Sequence, residues 1–188
     1  VPQIILLPGL LKKNSFEEVM YVAAQMGCRA VLPLLSSKVQ REWGGERELE
    51  RLHSIMIAAC EQAKQFILPE LSEPQGFGDV GDIIADLNSY CCHPERVEGS
   101  HPLPGKHVLK IFFEVGEEPL SQLAQDLIQT SYDAIFIALG PEGGLTENEK
   151  ALLIEERFKG YALTPIVLRS TEAATVGLGL VRSLARKT

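Results

Sequence analysis

The sequence is short of several things, and each shortage narrows the field. No apolar run approaches the ~20 residues that a membrane-spanning helix needs, so a helical membrane protein is not expected. Near the start, residues 4–7 are apolar, but the stretch is too short for a secretion signal and has no basic lead-in. Positive charge is scarce: 18 Lys and Arg against 25 Asp and Glu leave a net charge of −7. Phosphate contacts are made by Lys and Arg, so this balance argues against unaided nucleic-acid binding. Cysteine is sparse too. Cys28, Cys60, Cys91 and Cys92 are irregularly placed, which fits reduced thiols in a cytoplasmic protein rather than a disulfide framework. Cys91-Cys92-His93, with His101 and His107 beyond, matches no zinc spacing, and no metal is expected. The chain has neither the Gly-Lys-Ser/Thr of a P-loop nor a G-x-G-x-x-G fingerprint. It has no internal repeat and no low-complexity tract.

What is present suits one domain. The chain has 188 residues, of which 45% are hydrophobic. Short apolar strands are predicted at residues 4–7, 30–35, 108–113, 134–139, 161–163 and 166–168, and residues 67–68 lead into Pro69 and a further short strand. Helices are predicted from Ser15, where Ser15 and Glu18 have capping-box spacing, over 46–65, 83–87, 119–129 and 147–158, and from 171 or 172 to 186. Gly27 sits where a helix C-cap glycine belongs. Residues 72–82 read as loop, and 88–107 as an irregular insertion. Strands alternate with helices and several are continuously apolar. That pattern predicts an α/β fold, a parallel sheet with helices on both faces.

Two segments concentrate the chemistry. In Ala138-Leu-Gly-Pro-Glu-Gly-Gly-Leu-Thr-Glu-Asn-Glu-Lys150 an apolar strand ends in a glycine loop, and Thr146 and Glu149 mark a helix start. Glycines let backbone approach a ligand, and free N–H groups at a helix start point toward it. In Leu163-Thr-Pro-Ile-Val-Leu-Arg-Ser-Thr-Glu-Ala-Ala174 a short apolar run leads through Arg169 and a polar turn into a small-residue helix. Turn residues alone account for Gly140, Gly143 and Gly144 as readily as a ligand loop does.

Taken together, these segments resemble the cofactor loops of the SPOUT methyltransferases. More narrowly, they are similar to the ribosomal RNA small subunit methyltransferase E family, which methylates N3 of a uridine in 16S ribosomal RNA. Glu50-Arg-Leu, the run from Ile57 to Ala63, and Leu68-Pro-Glu70 agree with that family's helix and following strand. The likeness covers most of residues 10–186 and is weakest over 72–107. It implies a SPOUT-type fold with a C-terminal trefoil knot, a feature no sequence pattern predicts. It also implies that a PUA-like N-terminal domain, which the family carries to grip RNA, is missing here.

The resemblance assigns roles residue by residue. Leu139, Gly140, Pro141, Glu142, Gly143 and Gly144, with Leu163, Thr164, Pro165, Val167, Leu168, Thr171 and Ala174, would wrap a bent S-adenosylmethionine. Glu142 has two readings, a contact to the methionine amino group or RNA, or a charge at a helix N-terminus. Arg169 and Glu172 are the catalytic candidates. N3 of uridine must lose a proton; a cation stabilises the anion and a carboxylate takes the proton. The family pattern has one residue between Arg and Glu, whereas Ser170 and Thr171 both intervene here. Lys12 and Lys13 are candidates for RNA phosphate, and Glu61 and Gln62 for the substrate side. No cysteine falls in either loop, so no covalent intermediate is expected. The last helix, from Ala173 to Leu184, is small and apolar nearly all round, and with the resemblance it predicts a homodimer. Ribosomal RNA would be the substrate. Two other readings stay open: a SPOUT methyltransferase with a different RNA target, and a non-catalytic SPOUT-fold protein that binds RNA or a partner.

Overall fold

Alternation of apolar side chains along two central strands gives the protein two separate cores. In β1 (Gln3–Pro8) Ile4 and Leu6 face one way and Ile5 and Leu7 the other; in β7 (Ala134–Leu139) Ile135, Ile137 and Leu139 oppose Phe136 and Ala138. Both strands are therefore apolar throughout, as a sheet covered on both sides requires. The computed structural model describes residues 2–39, 41–90 and 107–185. Within it, six strands pair in parallel in the order β4-β2-β1-β7-β6-β8, with β2 at Ala30–Val31, β4 at Glu70–Leu71, β6 at Val108–Pro119 and β8 at Lys159–Ala162. The buried residues of α1 (Lys13–Gln25), α2 (Glu46–Ala63), α4 (Leu120–Gln129) and α6 (Ser170–Leu184) join one core. Those of α3 (Val80–Tyr90) and α5 (Glu147–Glu155) join the other. The predicted parallel sheet with helices on both faces is thus observed.

The local departures have physical causes. The expected strand at 30–35 divides in two. After β2 the chain passes Pro33, and β3 (Leu34–Leu35) pairs with β5 (Gln75–Gly76) in a small second sheet. The short strand expected where residues 67–68 lead through Pro69 forms at Glu70–Leu71, its pairing using the Glu70 N–H to Arg29 O, a donor that Pro69 lacks. Residues 72–82 hold β5, a helical turn at Phe77–Asp79 and the start of α3, anchored by buried Phe77 and Val80. The strand expected at 108–113 runs on to Pro119, with a register break against β8 between Phe113 and Glu118. Residues 166–168 form no strand. Pro165 supplies no donor there, and Thr164 Oγ1 donates to Ile166 O across a tight bend.

Helix ends follow the same logic. Gly27 adopts φ 66°, with Cys28 N donating to Ala23 O and Gly27 N to Ala24 O, the hydrogen bonds of a Schellman cap. α1 begins at Lys13, two residues ahead of the expected Ser15, and Ser15 and Glu18 form no capping box. α6 lies close on β6: a Cβ at Gly177 would sit 2.4 Å from the Phe113 ring, so only glycine lets that ring reach the helix. Most of the sequence-predicted irregular insertion at 88–107, including Cys91, Cys92, His93 and His101, falls outside the described residues. Cys28 and Cys60 are buried free thiols.

One buried polar contact ties β8 to α4 and carries a pH dependence. Tyr161 is fully buried and its hydroxyl donates to Asp126 Oδ2 at 2.6 Å. That bond, with help from Gln122 and Lys159, holds the Asp126 carboxyl below its ordinary value. A carboxyl depressed in the folded state stabilises the fold above its unfolded pKa, near 4, and loses that contribution as the pH falls through its folded value. Asp126→Ala, which strands the Tyr161 hydroxyl, is expected to cost about 1–3 kcal/mol at pH 7. In urea titrations the gap to the native chain should narrow in acid; a gap that widens contradicts the assignment.

Candidate functional site

The carboxyl ends of parallel strands, where strand order reverses direction, are where open α/β sheets bind ligands. Here the reversal falls at β1, which has β2 on one side and β7 on the other. Just past that point the chain is drawn tight. Gly9 N donates to Leu139 O, and a Cβ on Gly9 would lie 2.8 Å from Pro141 N. The glycine loop therefore rests directly on the end of β1.

Both bends picked out in the sequence meet at this place. Ser170 Oγ, buried, donates to Gly140 O at 3.0 Å and joins one bend to the other. Between them lies a cavity of about 410 Å³. One wall comes from Leu139, Gly140, Pro141, Glu142, Gly144 and Leu145; the facing wall comes from Leu163, Thr164 and the run from Ile166 to Ala173. Of the sequence-predicted cofactor residues, Gly143, Pro165 and Ala174 do not line it. Gly143 faces outward, against the stem of Lys38, and Ala174 is packed in the core. Both catalytic candidates, Arg169 and Glu172, are on the cavity wall.

Five positions outside the two bends were not foreseen: Phe113, Glu114 and Val115 at the end of the straight part of β6, and Ser15 and Glu18 on α1, form a third side. A signal for the β6 residues existed. The apolar run 108–113 ends at Glu114, and the carboxyl end of a strand beside β7 points into the same site.

Each loop residue has a traceable anchor. Glu142 Oε1 accepts the N–H of Lys12, the N-cap of α1, at 2.9 Å. Its structural role is thus to close a helix start, though that of α1 and not of the helix following its own loop. Thr146 and Glu149 form the predicted capping box of α5: Glu149 N donates to Thr146 Oγ1, and Thr146 N donates to Glu149 Oε2. Glu149 is also buried, which disfavours its charge; hydrogen bonds from Thr146 and from Ser36 and Ser37 outweigh this and hold its carboxyl below the ordinary value.

At the polar end, Arg169 is exposed at the N-cap of α6, and its guanidinium makes no hydrogen bond among the described residues. Glu172, in the first turn of α6, takes a hydrogen bond from Thr171 Oγ1. Its own backbone N–H, the Thr171 hydroxyl and Arg169 nearby all hold its carboxyl low. Such a carboxylate is a weak proton acceptor. The two residues between Arg169 and Glu172 divide the work: Ser170 turns inward to Gly140 and Thr171 stays at the cavity wall.

The RNA candidates fall in two places. Lys12 and Lys13 are exposed at the start of α1, beside the glycine loop. Glu61 and Gln62 are exposed near the far end of α2. That helix runs parallel to α1, pairing Arg51 with Glu17 at one end and Gln65 with Gln25 O at the other. They are therefore remote from the cavity within one chain. Among the described residues no group of three or more His, Cys, Asp or Glu is placed to hold a metal, and no helix is long and apolar enough to cross a membrane.

Residues 1–182 match the RNA methyltransferase domain family. The chain belongs to that family. This RNA methyltransferase domain is 30% identical over 177 residues to the ribosomal RNA small subunit methyltransferase E of Synechocystis sp., covering 94% of this chain and 52% of that protein. It is 24% identical over 193 residues to the enzyme of the same name from Mycobacterium tuberculosis, covering 99% and 65%. The chain thus spans about half to two thirds of the length of these relatives. Among solved structures, a methyltransferase from Legionella pneumophila with S-adenosylmethionine bound superposes with a TM-score of 0.76 at 22% identity, over 97% of this chain and 66% of that one. Ribosomal RNA small subunit methyltransferase E from Neisseria gonorrhoeae, also bound to S-adenosylmethionine, gives 0.74 at 21%, with the same coverage. The SpoU methyltransferase AviRb from Streptomyces viridochromogenes gives 0.57 at 9%, over 97% and 60%. The domain therefore has the parallel-sheet α/β fold of the SPOUT methyltransferases.

Proposed function

We propose that this chain binds S-adenosylmethionine in the cavity between the two bends and methylates N3 of a uridine in 16S ribosomal RNA. The observation that carries the reading is the junction of the bends, the Ser170–Gly140 hydrogen bond beside a cavity of about 410 Å³. That volume falls in the range of small-ligand pockets. Its chemistry fits the cofactor: Leu139, Leu145, Leu163 and Leu168 offer an apolar wall for adenine, and Glu114 and Glu142 suit an ammonium group. Relatives named ribosomal RNA small subunit methyltransferase E and neighbours solved with this cofactor support the same reading.

When bound, S-adenosylmethionine supplies an electrophilic methyl group on a positively charged sulfur. The chain's task is to bring a uridine to that position and favour loss of its N3 proton. Arg169, with its guanidinium uncommitted, stabilises the negative charge that develops on the uracil ring and its carbonyl oxygens. Glu172, held charged, orients the base or a water molecule that accepts the proton. Positioning supplies much of the remaining rate.

Four further features belong to this reading. β8 lies at the sheet edge, yet α6 returns to pack on α1 and β7, which supports the reading of a C-terminal trefoil knot. A second groove, of about 400 Å³, runs between α1 and α6, lined by Tyr21, Val22, Thr175 and the exposed Val176; it suits a homodimer built on α6. Residues 1–188 form the methyltransferase domain. Lys12 and Lys13, and Glu61 and Gln62 from the partner copy or a more distant RNA segment, contact ribosomal RNA in the cytoplasm.

Methyl transfer to unmodified small ribosomal subunits, mapped by mass spectrometry, tests the proposal. A single 3-methyluridine in 16S RNA is expected. A methyl group at another nucleotide or in another RNA supports the different-target reading, and cofactor binding without transfer supports the non-catalytic one.

A further inference from the structure

We propose that Lys38, which does not itself line the cavity, is a positioning residue for the cofactor, setting the glycine loop in its binding shape from behind. The inference rests on the reading of the cavity as the S-adenosylmethionine site. Its basis is a set of contacts that the loop makes on its outer side. Lys38 Nζ donates to Gly143 O at 2.8 Å and to Leu145 O at 3.3 Å, so a single ammonium holds two carbonyls of the loop. Its stem lies flat on Gly143, where a Cβ would be 3.2 Å from Lys38 Cδ. A side chain at position 143 would therefore press on the Lys38 stem, although the position faces away from the ligand.

A second contact fixes where Lys38 starts from. Glu149 Oε1 accepts the N–H of Ser37 at 2.8 Å and its hydroxyl at 3.3 Å, while the other oxygen of the same carboxylate serves the α5 capping box. Lys38 N in turn donates to Ser36 Oγ at 3.2 Å. The segment 36–38 is thereby pinned to α5, and its lysine is aimed back at the loop that precedes that helix.

The physical consequence concerns peptide orientation. Each peptide unit points its C=O and N–H in opposite directions, so a carbonyl held outward fixes what the rest of its peptide does. Gly144 N then donates to Pro141 O at 2.8 Å, closing the turn, with Gly144 at φ 69°. Without the ammonium, the carbonyls of Gly143 and Leu145 are solvated but unconstrained. The glycine-rich loop then samples other shapes, and the cofactor must order it on binding. Charge-assisted bonds of this kind are the stronger class, although the exposure of Lys38 moderates them.

The test uses the full chain and three measurements: S-adenosylmethionine affinity by calorimetry, steady-state methyl transfer, and Tm. Lys38→Met is expected to weaken cofactor binding about fivefold and raise its KM to match, with kcat within about twofold and Tm nearly unchanged. Lys38→Arg, which reaches both carbonyls, is expected to restore most of the affinity. Unchanged affinity in Lys38→Met overturns the inference. So does a loss confined to kcat, a fall in Tm that accounts for the loss of binding, or an arginine variant as weak as the methionine one. If the native chain itself binds no S-adenosylmethionine, the reading of the cavity fails, a result separate from any of these.

Discussion

Gly9→Ala should weaken S-adenosylmethionine binding by ten- to a hundredfold and cost about 1–3 kcal/mol of stability. The position is in neither bend, and no glycine motif surrounds it. Yet the added methyl would stand 2.8 Å from Pro141 N and 2.9 Å from Pro141 Cδ, with Gly140 C at 3.2 Å. None of these atoms belongs to the free end of a flexible side chain. The two ways out are a shift of β1, which is paired along its length with β7, or a shift of the glycine loop. The loop is the softer of the two, so it moves, and the cavity wall moves with it. Calorimetry and denaturant unfolding on the same preparation check the expectation. Loss of stability with native affinity would mean that the loop does not form the cofactor wall.

The second large effect is at Arg169. Arg169→Ala is expected to lower kcat by about a hundred- to a thousandfold, the usual result of removing one charge-stabilising group, while the cofactor dissociation constant stays within about threefold. The reasoning rests on two observations. Arg169 lines the cavity, and its guanidinium makes no hydrogen bond among the described residues, so its removal strands nothing in the fold. Its backbone, meanwhile, caps α6 through Arg169 O to Ala173 N, a contact that alanine keeps. Single-turnover transfer with saturating cofactor separates the chemical step from binding. A variant with native kcat removes Arg169 from the chemistry. Glu172→Gln should fall much less, because a carboxylate stabilised by its own N–H and by Thr171 already accepts protons poorly.

The sequence carried the architecture wherever periodicity was strong. β1, β7 and α1 could be read from continuous apolar runs or from the spacing of Phe16, Val19, Met20 and Ala23, all buried. The two bends could be read because glycine, proline and a capping box are rare in that order, and Thr146 and Glu149 form the box in the structure. What stayed hidden was non-local. The Ser15–Glu18 spacing suggested a helix start, but the helix begins at Lys13, and a carboxylate 130 residues away on Glu142 binds the N–H of its N-cap, Lys12. The split of 30–35 depends on β5, a two-residue strand inside a Gly- and Pro-rich stretch with no visible period. Lys38 and Gly9 act on the cavity through backbone contacts, which no local pattern encodes. Conversely, Pro165 and Ala174 look like loop residues by position but do not reach the cavity, because the bend turns one out and α6 buries the other.

The most direct measurement is a crystal structure of the chain grown with S-adenosylmethionine. The account requires the nucleoside and the sulfonium to occupy the space enclosed by residues 139–145 and 163–173, with Ser170 still bonded to Gly140. Cofactor found elsewhere on the molecule, or crystals that exclude it at saturating concentration, would contradict the account.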